Sequence, residues 1–328
     1  MISSVSPRGV VLLSGGGGGA RLAAALHQQR SKGPLTILTN TGDDFEHLGL
    51  TICPDTDSVI YAVTEQLDRE RGWGRSGETW NALSEITQMG GPDWFQLGDR
   101  DLALHLQRAA LLAEGKSMSE VTATVAGRLG LTGQTLIIPA SEQPIRTQVL
   151  TDQGEMAFQE YFVARRCEPR LLDVRYHGIE RALPNPAFTE LLKQPAWQEC
   201  DVIVGPSNPL LSVAPILDIP GMASLLRQRA RRVVAVSPIV GGRALKGPAA
   251  KIMNELAMSV SAQGWTQWFD QRYPGLVDTW VWDKEDQAAL SEAEASAGRV
   301  RFTNTVMSQP EPAAAFANWL IEECLGDD

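Results

Sequence analysis

The 328-residue chain contains four cysteines, Cys53, Cys167, Cys200 and Cys324, and no CxxC pair among them. That scatter excludes a zinc ribbon and a redox dithiol, and suits buried or idle thiols in a reducing compartment. Long apolar runs are also missing. No stretch approaches the ~18 uninterrupted apolar residues of a membrane helix, and the opening MISSVSPRG has no signal-peptide core. A cytoplasmic location is the expectation. Basic residues are outnumbered, 29 Lys and Arg against 39 Asp and Glu, for a net charge of -10. This balance argues against a general nucleic-acid or membrane-surface binder. It also poses a problem for an anionic ligand, whose site would need its own positive potential from a metal, an Arg/Lys pair or helix N-termini.

What is present is an alternation of short apolar runs and amphipathic stretches. It predicts strands at Val10–Leu13, Leu35–Thr39, Thr135–Ile138, Val202–Val204 and Val233–Ser237. Helices are expected over Arg21–Gln29, Val59–Glu70, Leu102–Ala113, Glu120–Leu129, Met222–Arg229 and Ala249–Met258. Such alternation implies an α/β fold, Rossmann-like, with a mostly parallel sheet and helices on both faces. From Ile145 to Tyr176 the pattern turns strand-like around a DQGE turn, Asp152–Glu155. We read this as an antiparallel β excursion, residues 143–180, inserted into a single domain spanning 1–328. The C-terminal part alternates again: LVDTWVW, an acidic helix from Lys284, RVRFTNT, and a last helix to Cys324. There is no internal repeat and no low-complexity linker.

Five consecutive glycines, Gly15 to Gly19, join the first strand to the first helix. Backbone N–H groups at a helix start are unsatisfied and carry positive potential, and glycine lets a phosphate approach them closely. A tight strand–helix packing turn is the plainer alternative. No Lys-Ser/Thr follows, so this is not a Walker A loop, and the GxGxxG/A match is almost forced by the glycine run. A dinucleotide site needs one acidic residue for a ribose. Here four follow the second strand closely: Asp43, Asp44, Asp55 and Asp57. Carboxylates beside a phosphate call for a hard cation such as Mg²⁺ between them. Alternatively, Asp55 or Asp57 caps the helix expected at Val59. Further polar loops follow other strands or open helices: GDRD with Asp99, Arg100 and Asp101, GPSNP with Ser207 and Asn208, and SPIVGGRALKGPAAK with Arg243 and Lys246. Helix capping by Asp99 and a solvated Arg100 are the alternatives in the first of these, and a lone His105 is more often a satisfied helix residue than a catalyst. In RGWGRSGETWNA, Trp73 and Trp80, with Trp94 close behind, lie among glycines and polar residues, which suits stacking on a flat ring.

Seven ordered motifs, SGGGGGARL, NTGDD, ICPDTDSV, GWGRSGETWNA, GDRDLALH, GPSNP and SPIVGGRALKGPAAK, resemble the 2-phospho-L-lactate transferase family between Ser14 and Lys251. The GWG…ETWNA segment looks like its bacterial branch. The resemblance implies transfer of a phosphorylated three-carbon acid, phospholactyl, phosphoenolpyruvyl or phosphoglyceryl. The donor is that acid linked through a diphosphate to guanosine. The acceptor is the ribityl hydroxyl of a deazaflavin alcohol, GMP leaves, and the step belongs to biosynthesis of coenzyme F420. It further implies Mg²⁺ and a homodimer. By motif, Asp43 and Asp57 are the expected metal ligands and catalytic with Asp99 and Arg100, while Asp44 and Asp55 stand second as ligands. Gly15, Gly16, Gly17, Gly18, Asn40, Asp44, Trp80, Asn81, Asp101, Ser207, Asn208, Arg243 and Lys246 are the expected substrate contacts. Gly17 fills a place where the family pattern is variable, which loosens the loop without changing the class. A nucleotide-sugar-binding regulator of the gluconeogenesis-factor type shares a glycine loop and an acidic stretch. A nicotinamide-dependent oxidoreductase would need the acid pair for a ribose.

Overall fold

A computed structural model describes residues 8–29, 33–245, 247–289 and 298–326. Its strands in chain order are β1 (Val10–Ser14), β2 (Leu35–Thr39), β3 (Phe45–His47), β4 (Leu50–Ile52), β5 (Thr135–Pro139), β6 (Arg146–Thr151), β7 (Gly154–Ala157), β8 (Leu171–His177), β9 (Cys200–Val204), β10 (Ala230–Val236), β11 (Ile239–Val240), β12 (Arg243–Ala244), β13 (Thr279–Asp283) and β14 (Val300–Thr303). Seven of them form one sheet, in the order β14-β13-β10-β9-β1-β2-β5. All of its pairings are parallel. The short, continuous apolar runs explain this, because strands covered on both faces have no polar side to show water. In β1, Val11 and Leu13 enter one core with Leu38, Val202 and Val204. Leu12 enters the opposite core with Ile37, Ile203 and Val234.

The chain leaves β1 toward β2 and β5, and returns to β1's other side at β9 before running out to β14. Strand order therefore reverses between β1 and β9, and a crevice opens at the carboxyl ends of those two strands. A separate antiparallel sheet, β7-β6-β8, lies within residues 146–177.

Several helices begin earlier than their sequence pattern suggests. Helix α1 is Gly16–Gln28, so four of the five glycines are helical rather than a loop. Helix α2, Pro54–Val63, starts on the PDTD motif itself, and ends where Glu65 takes a left-handed φ of 58°. The expected extension to Glu70 is irregular chain. Helix α3, Asn81–Gln88, falls on the ETWNA motif, where no helix was expected. Helix α4, Asp99–Ala113, takes in the whole DRD triplet, and α5 covers Met118–Arg128. From Lys284 only a short 3-10 turn, Lys284–Ala289, is seen, and the rest of the expected acidic helix lies outside the described residues.

Candidate active site

The crevice deepens into a cavity of about 1000 Å³. Its floor is the start of α1. Gly15 is extended and supplies no side-chain cap. Two other elements supply the polar contacts. The Gly16 N–H donates to Asp55 Oδ1 at 2.7 Å, and Ser207 Oγ donates to the Gly15 carbonyl at 2.8 Å. A Cβ on Gly18 would collide with the Pro206 carbonyl oxygen, whereas a Cβ on Gly17 would meet nothing within 4 Å. The glycines thus serve two ends: one packs α1 onto the loop after β9, the next presents bare backbone to the cavity. Asn208 beside them spends Oδ1 on the N–H groups of Leu210 and Leu211, both at 3.0 Å. Its Nδ2 is buried without a partner.

Carboxylates form the next layer. Asp43, Asp55, Asp57 and Asp101 all line the cavity. Burial pushes the Asp43 carboxyl well above its usual range, and neighbouring Asp55 adds to the effect. Asp55 is also raised by burial, against bonds from Asn40 and Gly16. Asp43 Oδ1 has no hydrogen-bond partner. Asp44 is buried behind them and pushed up to about 8, burial outweighing the attraction of Arg108. Asp57 differs, because the buried guanidinium of Arg108 grips both of its oxygens.

Trp73, Trp94, Phe95, Phe158 and Phe162 give the cavity a largely aromatic wall. Trp94 and Phe95 pack edge to face, and Phe158 stacks on Phe162. Four arginines, Arg21, Arg69, Arg71 and Arg166, also line it. Arg71 lies over the rings of Trp73 and Trp80 and pairs with Asp68 at 2.9 Å. Arg21, Arg69 and Arg166 have no ion pair among the described residues. Burial without a carboxylate partner lowers the Arg21 guanidinium from its usual range.

A family model described as 2-phospho-L-lactate transferase CofD matches residues 10–312. The chain belongs to that family. It is 32% identical to the 2-phospho-L-lactate transferase of Methanosarcina acetivorans, over 95% of this chain and 98% of that one. It is 34% identical to the phosphoenolpyruvate transferase of Streptomyces griseus, over 95% and 97% of the two chains. A crystal structure of a UPF0052 family member from Bacillus halodurans shares the fold, with a TM-score of 0.63 at 15% identity, covering 97% of this chain and all of that one. The regulator reading is not favoured beside these transferase relatives.

Within this transferase fold, the residues expected at the site fall into two groups. Gly15, Gly16, Gly17, Gly18, Asp43, Asp55, Asp57, Asp101, Ser207 and Asn208 line the cavity. The others do not. Asn40 is fully buried, with its amide committed to Asp55, the Leu211 carbonyl and the Gly42 N–H. Asp44 lies behind the wall. Asp99 was expected to be catalytic but caps α3, accepting from Thr79 Oγ1 at 2.5 Å, Asn81 Nδ2 at 2.9 Å and the Ala82 N–H at 3.0 Å. Arg100 reaches away, donating to the Ser76 carbonyl at 2.9 Å. Trp80 sits behind Trp73, and Asn81 is exposed on Asp99. Arg243 is 77% exposed and faces Glu285 at 3.7 Å. Lys246 lies outside the described residues. Asp57, expected as a metal ligand, is held by Arg108 at the cavity wall. Sequence reasoning missed the four arginines. Arg21 sat in plain view inside the SGGGGGARL motif. Arg69 and Arg166 stand in no motif, and only the fold brings them to the cavity.

Proposed function

We propose that this protein transfers a phosphorylated three-carbon acid from a guanosine diphosphate-linked donor to the ribityl hydroxyl of a deazaflavin alcohol. GMP leaves, and the product is a phosphodiester on the way to coenzyme F420. One observation carries the reading: in a chain of this family, a single cavity joins a glycine floor suited to a diphosphate with an aromatic wall suited to a flat ring. Phosphoryl transfer of this kind asks for positioning and charge neutralisation above all. The N–H groups of Gly17 and Gly18, Ser207 Oγ and Asn208 Nδ2 are the donors assigned to the donor's phosphates and nucleoside. Arg21, Arg69 and Arg166 supply positive charge. Trp73, Trp94 and Phe95 flank the deazaflavin ring and exclude water from it.

Mg²⁺ fits this donor set. Asp43 offers a buried oxygen with no partner, and Asp43 and Asp55 each suffer from burial in a shared pocket. These two residues, rather than Asp57, would hold the ion. No cluster of three ligating side chains exists among the described residues, so two carboxylates are what the protein would give an ion whose other ligands are phosphate oxygens and water. Bound there, the ion would neutralise the donor diphosphate and withdraw charge from the reacting phosphorus. No single described helix is long and apolar enough to cross a membrane. A homodimer belongs to the same reading, and its solution mass by light scattering tests it.

The function is tested by offering purified protein the deazaflavin alcohol, Mg²⁺ and each of three guanylated donors, carrying lactate, enolpyruvate or glycerate. Mass spectrometry should find one phosphodiester product together with GMP, lost on adding EDTA. Absence of product from all three would refute the reading.

A further inference from the structure

A line of buried polar side chains runs from the core to the cavity. On α4, Arg108 holds Asp57 of α2, donates to the Thr51 carbonyl at 3.2 Å, and brings Nη1 to 2.9 Å from His105 Nδ1. A guanidinium has donors only, so Nδ1 must be the acceptor and the ring proton sits on Nε2. His105 is buried, and its Nε2 makes no hydrogen bond within the usual limits. It faces Asp101 Oδ1 at 3.5 Å. The Tyr61 hydroxyl donates to that same oxygen. The backbone N–H of Asp101 donates to Glu78 Oε1 at 2.8 Å, which fixes the main chain. The Tyr61 hydroxyl thus bonds Oδ1 and the His105 Nε2–H faces the same oxygen, while Oδ2 has no partner among the described residues. Asp101 and His105 both line the cavity.

We propose that Asp101 accepts the proton of the attacking hydroxyl through Oδ2. Tyr61 and His105 are positioning residues that hold its other oxygen, and Arg108, anchored by Asp57, sets the tautomer of His105. This rests on the transferase reading above. As the hydroxyl oxygen forms its bond to phosphorus, the bond from phosphorus to the bridging oxygen breaks. GMP departs with that electron pair. The hydroxyl proton passes to Asp101 and then to water. The charged and titratable groups facing Asp101 are His105 and Arg108 from its own helix, Tyr61 from α2, and Glu78 from the segment between α2 and α3. Burial raises the Asp101 carboxyl, but the contacts from His105 and Tyr61 outweigh it and leave the carboxyl below its usual range. A weak base suffices where the transition state is loose, because the nucleophile sheds its proton late.

The test is steady-state kinetics of the full chain with deazaflavin alcohol, guanylated donor and Mg²⁺. Asp101→Asn should lower kcat by at least ~10²-fold, the lower end for loss of a general base. KM for both substrates should stay within about threefold, since the amide keeps the shape while uniform binding is untouched. Tyr61→Phe removes one donor from Oδ1 and should move the acid limb of the kcat profile to higher pH. An Asp101→Asn enzyme with near-wild-type kcat, or one whose whole loss is in KM, overturns the proposal, as does an acid limb that stays in place in Tyr61→Phe. If wild-type protein makes no product, the transferase reading fails first and this inference falls with it.

Discussion

Asp57 and Asp99 have the same side chain and opposite fates. Asp57 is buried with Arg108. Truncating Arg108 to Ala leaves a carboxylate buried without its partner, and should cost about 3–5 kcal/mol of unfolding free energy. Urea denaturation at neutral pH measures it. A loss under ~1 kcal/mol, the scale of a surface pair, would show that water reaches Asp57 in place of the guanidinium. Asp99 lies near the surface, and its bonds from Thr79, Ala82 and Asn81 pull its carboxyl down to about 2. A depressed carboxyl stabilises the folded state above its unfolded value near 4 and loses that effect as pH falls through the folded value. The thermal midpoint of Asp99→Ala should therefore lie below that of wild type at pH 7. The gap should close between about pH 4 and pH 2. Turnover of the variant at saturating substrate should stay near wild type, and a large drop would return Asp99 to the catalytic list. In the sequence, these aspartates all stood in acidic motifs and looked alike. What separates them is the partner each meets, Arg108 at a distance of 51 positions and Asn81 at 18, and no local spacing discloses such pairings.

Among elements, α1 carries the sharpest contrast between the chain as read and the chain as folded. The glycines suggest a loop because glycine weakens an isolated helix. Their neighbours reverse this: Asp55 caps the first N–H, and the Pro206 carbonyl lies where any larger residue at position 18 would need to be. Gly17→Ala and Gly18→Ala are accordingly unequal. Alanine at 17 meets open space, should hold or raise the thermal midpoint because alanine is the better helix former, and should raise KM for the guanylated donor by crowding the floor. Alanine at 18 should lower the midpoint by displacing the loop after β9. Equal midpoints for the two variants would contradict the packing described. The strands of the central sheet were legible because each is a short apolar run between turn residues. Helix starts were less so, since the motif residues Pro54–Asp57 and Asp99–Asp101 are polar and read as loop until tertiary contacts draw them into the first turns of α2 and α4.

Across the whole molecule, a net charge of -10 opposes any diphosphate that approaches. The four arginines of the cavity answer this locally. Arg69→Ala and Arg166→Ala should each raise KM for the donor roughly ten- to hundredfold, the worth of one charge-assisted hydrogen bond, and added salt should raise the wild-type value in the same direction. On the proposed reading the KM for the deazaflavin alcohol, an uncharged ligand, should respond far less to salt. Unchanged donor KM in both variants would assign these cations to the solvated rim. The sheet and the glycine floor could be read from the chain, whereas this ring of cations could not, because it is assembled from α1, the irregular segment after α2 and the chain between β7 and β8. The same topology has a consequence for synthesis. β1 pairs with β2 early, but its other neighbour, β9, lies about 190 positions later, as does Ser207, which bonds the Gly15 carbonyl. On a ribosome adding roughly 5–20 residues per second, the nascent chain spends on the order of ten seconds or more with the apolar edge of β1 unpaired, a template for wrong strand partners. During that interval no ligand of the cavity can rescue it, since the loop after β9 that completes the cavity's floor has not yet been translated.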